Sequence, residues 1–208
     1  MNRARSPGKQ PRLPTSFYRR DPRAVARALL GQRLVTTLGG RRTAGIIVET
    51  EAYLGAIDKA AHTYGNRRTA RNESMWGEAG HAYVYFVYGM HHCVNVVAGS
   101  AGDPVAVLLR ALEPVEGLQT MFERRAAARR PLDLCSGPAK LCQALGITRE
   151  LDGADLQHDP SIGIERLRKR ALAAGRIGSG PRVGIDYAEE WRHEPLRFWM
   201  RGSPHVSR

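Results

Sequence analysis

Two stretches of this chain carry β-forming residues on both sides of a tight-turn signal, and this constrains the fold more than any other feature. The first runs from RLVTTLGGRR, turning at Gly39-Gly40, into AGIIVETEAYLG, and the second runs from YVYFVY through Gly89-Met90 into CVNVVA. β-Branched and aromatic residues dominate both, so each predicts an antiparallel hairpin, and VAVLLRAL, RVGID and PLRFWMRG predict further strands. Helical spacing replaces this pattern in three places. DPRAVARALLG offers Asp21 as a cap, Pro22 at the first helical position and Gly31 as a stop. EPVEGLQTMFERRAAARR puts Pro114 near a helix start, and SGPAKLCQALG offers Ser136 as a cap and Gly146 as a stop. The pattern predicts an α+β fold with a mostly antiparallel sheet.

A chain of 208 residues fits one domain with room for a real core. No apolar run approaches the roughly 18 residues of a spanning helix, so no membrane-spanning role is expected. Cys93, Cys135 and Cys142 show no paired CxxC spacing, which argues against both a disulfide-stapled fold and a zinc ribbon. Charge is the uneven quantity. Residues 1–42 hold 11 basic residues against one acid, Asp21, whereas the whole chain has 32 Lys+Arg against 20 Asp+Glu. A basic N-terminal region attracts polyanions, nucleic acid first and an anionic lipid surface second, and it also fits a plain solvated tail. Residues 1–14, MNRARSPGKQPRLP, have three prolines and no hydrophobic segment. They read as a disordered basic lead to a single domain over 15–208.

Side chains of a strand alternate faces, so Glu49, Glu51 and Tyr53 in VETEAY share one face. Two carboxylates so placed repel unless a cation, a ligand or water uses them. One reading is a solvated outer face. The other is a carboxylate beside a cleft, ionised at neutral pH and able to take a proton from water, as glycosidic cleavage requires. In YVYFVYG, Tyr83 and Tyr85 face one way and Phe86 and Tyr88 the other. Tyr83 and Phe86 suit the core, while Tyr88, at the hairpin tip, suits either partial packing or a wedge between bases. His62 can orient a ligand or bond its own loop. His91, His92 and Cys93 are adjacent on a strand and point to opposite faces, which disfavours a shared metal.

Taken in order, IVETEAYLG, AAH, TARN, YVYFVYGM, VNV, VLLRALEP, LCSGPAKLCQALGI, PRVGID and PLRFWMRGSPHVS make the chain resemble the alkyladenine (3-methyladenine) DNA glycosylase family from about residue 15 onward. The resemblance implies a single domain with a curved, open-barrel-like sheet, flanking helices and a protruding β-hairpin. It implies removal of a damaged purine (3-methyladenine, 7-methylguanine, hypoxanthine or ethenoadenine class) from double-stranded DNA, leaving an abasic site. Glu51 then falls on the base that activates water, Arg110 on the arginine that helps hold that water, and Val183 on the residue whose carbonyl touches it. Tyr53 and Tyr85 would stack on a flipped base with His62 edge-on and Asn95 screening the pocket. Tyr88, with Met90 beside it, would fill the gap left in the duplex.

The same resemblance implies no metal or organic cofactor, and no lysine in these motifs is placed for a Schiff base, so a monofunctional enzyme is expected. A monomer in a bacterial-type cytoplasm, associated with the nucleoid through DNA, is also expected. The sequence departs from animal members at TARN, where TPRN is usual, and at His91-His92-Cys93, where bulkier aromatics are common. Both departures bear on substrate range. Two other classes fit some of the residues. One is a non-catalytic nucleic-acid-binding module using the basic lead and Tyr88, and the other is a hydrolase of small nucleosides, which would not need the lead.

Overall fold

The computed structural model describes residues 10–87 and 89–207. Residues 1–9 of the predicted lead and Tyr88, the predicted wedge, lie outside the described residues. The rest of the lead is built into the domain. Pro11 O accepts from the Arg166 amide at 2.8 Å, the Leu13 amide donates to Ile164 O at 2.9 Å, and the Leu13 side chain is fully buried. Ordered packing therefore starts before the expected boundary at residue 15.

A short helix α1 (Thr15–Tyr18) leads into α2 (Pro22–Leu29), where the Asp21 carboxylate accepts from the Arg23 and Ala24 amides as its spacing predicted. The first hairpin is β1 (Arg33–Leu38) and β2 (Arg41–Tyr53), and the second is β3 (Ala82–Val87) and β4 (His91–Ala98). β5 (Val105–Glu116) follows, then helices α3 (Leu118–Arg124), α4 (Pro131–Leu134) and α5 (Pro138–Leu145). Three short strands complete the chain, β6 (Ile162–Glu165), β7 (Ile177–Gly180) and β8 (Arg197–Met200). The sheet runs β3-β4-β5-β2-β1-β6, with β8 pairing β2 beyond the end of β1, β7 pairing β8, and every strand pair antiparallel. β2 is long enough to pair with β1 along its first half and β8 along its second, and this carries the sheet round into a curled half-barrel. α2 packs on β2 and β5, and α5 on β4 and β5, burying Leu29, Ile47, Leu109, Leu112, Leu141 and Leu145 in one core.

Several local expectations shift. Pro114 does not open a helix but pairs opposite Gly45 within β5. Gly117, in the left-handed region at φ +73°, ends that strand, and a Cβ there would strike Arg42 O, so α3 begins only after it. Ser136 is not the cap of α5. Pro138 takes the first helical position and Gly137 the cap, while Ser136 Oγ accepts from Lys140 Nζ at 3.3 Å. RVGID is a loop, because Arg182 is drawn into a buried ion pair and Gly184 turns the chain at φ +74°. Phe86 is not core but 41% exposed: it shares its face with the core residues Val84 and Val94 but lies beyond them toward the hairpin turn, beside His92, whereas Tyr83 is buried as expected.

Candidate active site

The second half of β2 leads into the site. Its pairing with β5 slips between Ile47 and Glu49 and again between Glu49 and Thr50, an irregularity of the kind that re-aims side chains. Neither carboxylate is on a solvated face: Glu49 and Glu51 are both fully buried. The cation that their repulsion requires is Arg110, delivered by the neighbouring strand β5, with Nε 3.2 Å from Glu49 Oε1 and Nη1 3.3 Å from Glu51 Oε1.

Glu51 has two further partners. Its Oε1 accepts the Val183 amide at 2.8 Å, and its Oε2 accepts the Tyr53 hydroxyl at 3.0 Å. Burial raises the Glu51 carboxyl above the ordinary carboxylate value, while Arg110, the Val183 amide and the Tyr53 hydroxyl pull it back and Glu49 pushes it further up. Burial also raises the Tyr53 phenol well above its usual value, so it stays protonated and donates to Glu51. The Val183 group that touches Glu51 is its N–H, which leaves its carbonyl out of this bond.

Tyr53, Arg110 and Val183 all line a cavity of about 300 Å3, so Glu51 is held immediately behind its wall. Such a volume lies at the small end of ligand pockets. The other walls include Tyr83, Tyr85, His62, Asn95, Ile185 and Tyr187. His62 meets Tyr85 edge-on at 4.6 Å between ring centroids, and its Nδ1 is hydrogen-bonded to the Tyr83 hydroxyl at 2.8 Å. Desolvation by the surrounding walls, with the positive charges of Arg71 and Arg67, lowers the His62 imidazole to about 4. The residue still stands open to the cavity, so this shift decides its charge at neutral pH more than the stability of the fold. Asn95 is buried, with Nδ2 donating to Tyr83 O at 3.2 Å. Arg71, from TARN, lies over the Tyr85 ring at 5.4 Å.

Seven of the nine predicted site residues therefore surround one cavity or stand directly behind its wall: Glu51, Tyr53, His62, Tyr85, Asn95, Arg110 and Val183. Met90 is 68% exposed at the turn of the second hairpin and borders a separate groove beside α5. Among the described residues, no cluster of three or more His, Cys, Asp or Glu is arranged to hold a metal ion.

Two features escaped the sequence. Asp58 and Arg182 form a fully buried ion pair at 2.5 and 2.8 Å, and Arg182 also donates to Ala52 O at 3.1 Å and lies over the Tyr53 ring at 4.7 Å. This pair fixes the loop that brings Val183 to Glu51. Tyr187, 68% exposed, stands at the cavity on the same loop. The only sequence sign of Arg182 was its place next to Val183.

A family model described as methylpurine-DNA glycosylase matches residues 16–204. Curated relatives from Bacillus cereus (strain AH187) and Bacillus anthracis (strain CDC 684) are each 49% identical over 202 residues, which cover 94% of this chain and 98% of theirs. Both bear the name "Putative 3-methyladenine DNA glycosylase". A match of this extent means that the chain belongs to the methylpurine-DNA glycosylase family and is a DNA glycosylase, a hydrolase of N-glycosyl bonds.

Proposed function

We propose that this enzyme takes a damaged purine of the 3-methyladenine class out of duplex DNA into the cavity and hydrolyses its N-glycosidic bond with water activated by Glu51, leaving an abasic site. The observation that carries this reading is the placement of Glu51, fully buried yet bonded to three groups that all line an aromatic cavity. The use of its two oxygens goes further. Oε1 takes both the Val183 amide and Arg110, whereas Oε2 takes only the Tyr53 hydroxyl among the described residues. A carboxylate oxygen has two acceptor sites, so Oε2 is the one left to take a water, which reaches it once the wall between Glu51 and the cavity gives way, since the side chain is closed to solvent as it stands. A carboxyl raised by burial is a stronger base than an exposed one, and its charge also favours the cationic sugar of an oxocarbenium-like transition state.

Tyr53 and Tyr85 suit a flat purine. A methylated base carrying positive charge gains cation–π attraction from them and already leaves easily, so water positioning has less to do. A neutral base such as hypoxanthine is a poorer leaving group and leans more on Glu51 and Arg110. Neutral His62 can give a hydrogen bond to the base from the ring nitrogen not bonded to Tyr83, provided that nitrogen carries the proton. The basic N-terminal region and the second hairpin favour a duplex partner, bound by a monomer.

The test is product analysis. Duplex DNA carrying one N3-methyladenine should yield free base and an alkali-labile site, with no strand break before alkali. Tight binding without base release would favour a non-catalytic binding module. Equal cleavage of free nucleosides would favour a small-molecule hydrolase.

A further inference from the structure

We propose that Glu49 and Ser207 are positioning residues that aim Arg110 at Glu51; this rests on the reading of Glu51 as the base. The three guanidinium nitrogens of Arg110 divide cleanly. Nε donates to Glu49 Oε1 at 3.2 Å, Nη2 donates to Ser207 Oγ at 3.2 Å, and Nη1 faces Glu51 Oε1 at 3.3 Å. A guanidinium is planar and rigid, so fixing two of its nitrogens fixes where the third points. Ser207 also ties the holder together. Its amide donates to Glu49 Oε2 at 2.7 Å and its hydroxyl donates to Glu49 Oε1 at 2.9 Å while accepting from Arg110. Arg197 Nη1, 3.2 Å from Glu49 Oε1, balances the charge of this fully buried carboxylate.

Without Glu49, Arg110 would have one carboxylate partner and could settle into a symmetric fork on Glu51, covering the acceptor site that water needs. With Glu49 and Ser207 in place, Arg110 offers Glu51 a single nitrogen and leaves Oε2 free. Segment 203–207 thus contributes to catalysis without lining the cavity, and Glu49 does so from the same strand as the base it serves.

The experiment compares wild type, Ser207→Ala, Ser207→Thr, Glu49→Gln and Glu51→Gln for single-turnover release of hypoxanthine from duplex DNA, and for affinity to a duplex carrying a reduced abasic site. Misaim of an essential group is expected to slow chemistry by about 10-fold in Ser207→Ala and about 100-fold in Glu49→Gln, with affinity within about 2-fold of wild type. Ser207→Thr, which keeps the hydroxyl, is expected to restore most of the rate. Should Glu49→Gln fail to fold, Ser207→Ala, which removes one hydroxyl and keeps the amide, decides alone. An unchanged rate in Ser207→Ala, or rate and affinity lost together, overturns the proposal. An inactive Glu51→Gln beside a normal Ser207→Ala overturns the positioning role alone, whereas an active Glu51→Gln overturns the base itself.

Discussion

The amide of Val183 donates to Oε1 of Glu51 at 2.8 Å, joining a loop near the end of the chain to the strand that carries the proposed base. With Arg110 on the same oxygen, this leaves Oε2 for the Tyr53 hydroxyl and, in the proposed reaction, for water. The proton transfer of the proposed reaction therefore depends on groups from β2, β5 and the 182–187 loop meeting behind one cavity wall.

The first prediction concerns pH. In the proposed reaction Glu51 acts as its ionised form, so the rate should rise with pH through its pKa, which lies above the ordinary carboxylate value. The Tyr53 hydroxyl lowers that pKa by donating to the charged form. Tyr53→Phe should therefore move the acidic limb of the single-turnover profile to higher pH, with the lowering influences of Arg110 and the Val183 amide and the raising influence of Glu49 left in place. A limb that stays put or moves down would break the link between Tyr53 and Glu51.

His62 should not contribute a limb near neutrality. Desolvation and the charges of Arg71 and Arg67 lower it to about 4, so it is neutral around pH 7. Histidine ring resonances followed by NMR should show one imidazole titrating near this value and moving only part of the way back in Arg71→Gln, because desolvation, the larger cause, stays in place. A titration midpoint near 6.5 would contradict the desolvated cavity.

The Asp58–Arg182 pair makes a stability prediction. Both side chains are fully buried, so removing one leaves the other uncompensated, at a cost of about 3–5 kcal/mol. Asp58→Ala should show this loss in denaturant unfolding, and the double variant Asp58→Asn with Arg182→Met should recover much of it. Excision in the double variant should still be slow, because the loop carrying Val183 has lost its anchor. Normal activity in it would separate the ion pair from the site.

Much of the architecture was legible in the sequence. Both hairpins were, because alternation and turn residues are local signals, and so was α2, whose cap lies within three residues. β6 and β7 were not, since IGIE and IGSG are short and carry glycine where a strand signal needs side chains. The burial of Glu49 was invisible for another reason. Local pattern reads it as one of two repelling charges, and its partners Arg110, Arg197 and Ser207 are 61, 148 and 158 residues away. Asp58 and Arg182, 124 residues apart, were hidden in the same way.

The basic N-terminal region makes a salt-dependence prediction. Arg12 donates to Leu156 O and Leu13 is core, so the deletion that tests this stops at residue 9 and takes Arg3, Arg5 and Lys9 with it. Deleting it should reduce the log–log salt slope of duplex binding by up to about 3 if all three meet phosphate. An unchanged slope would make it a solvated tail.

The most direct test of the whole account is single-turnover release of base from duplex DNA carrying one N3-methyladenine or one hypoxanthine, run in chelator with wild type and Glu51→Gln. The account predicts release by wild type, and in Glu51→Gln duplex affinity retained while hypoxanthine release collapses and N3-methyladenine release falls less, because that cationic base leaves more readily. Hypoxanthine release by Glu51→Gln at the wild-type rate would contradict it.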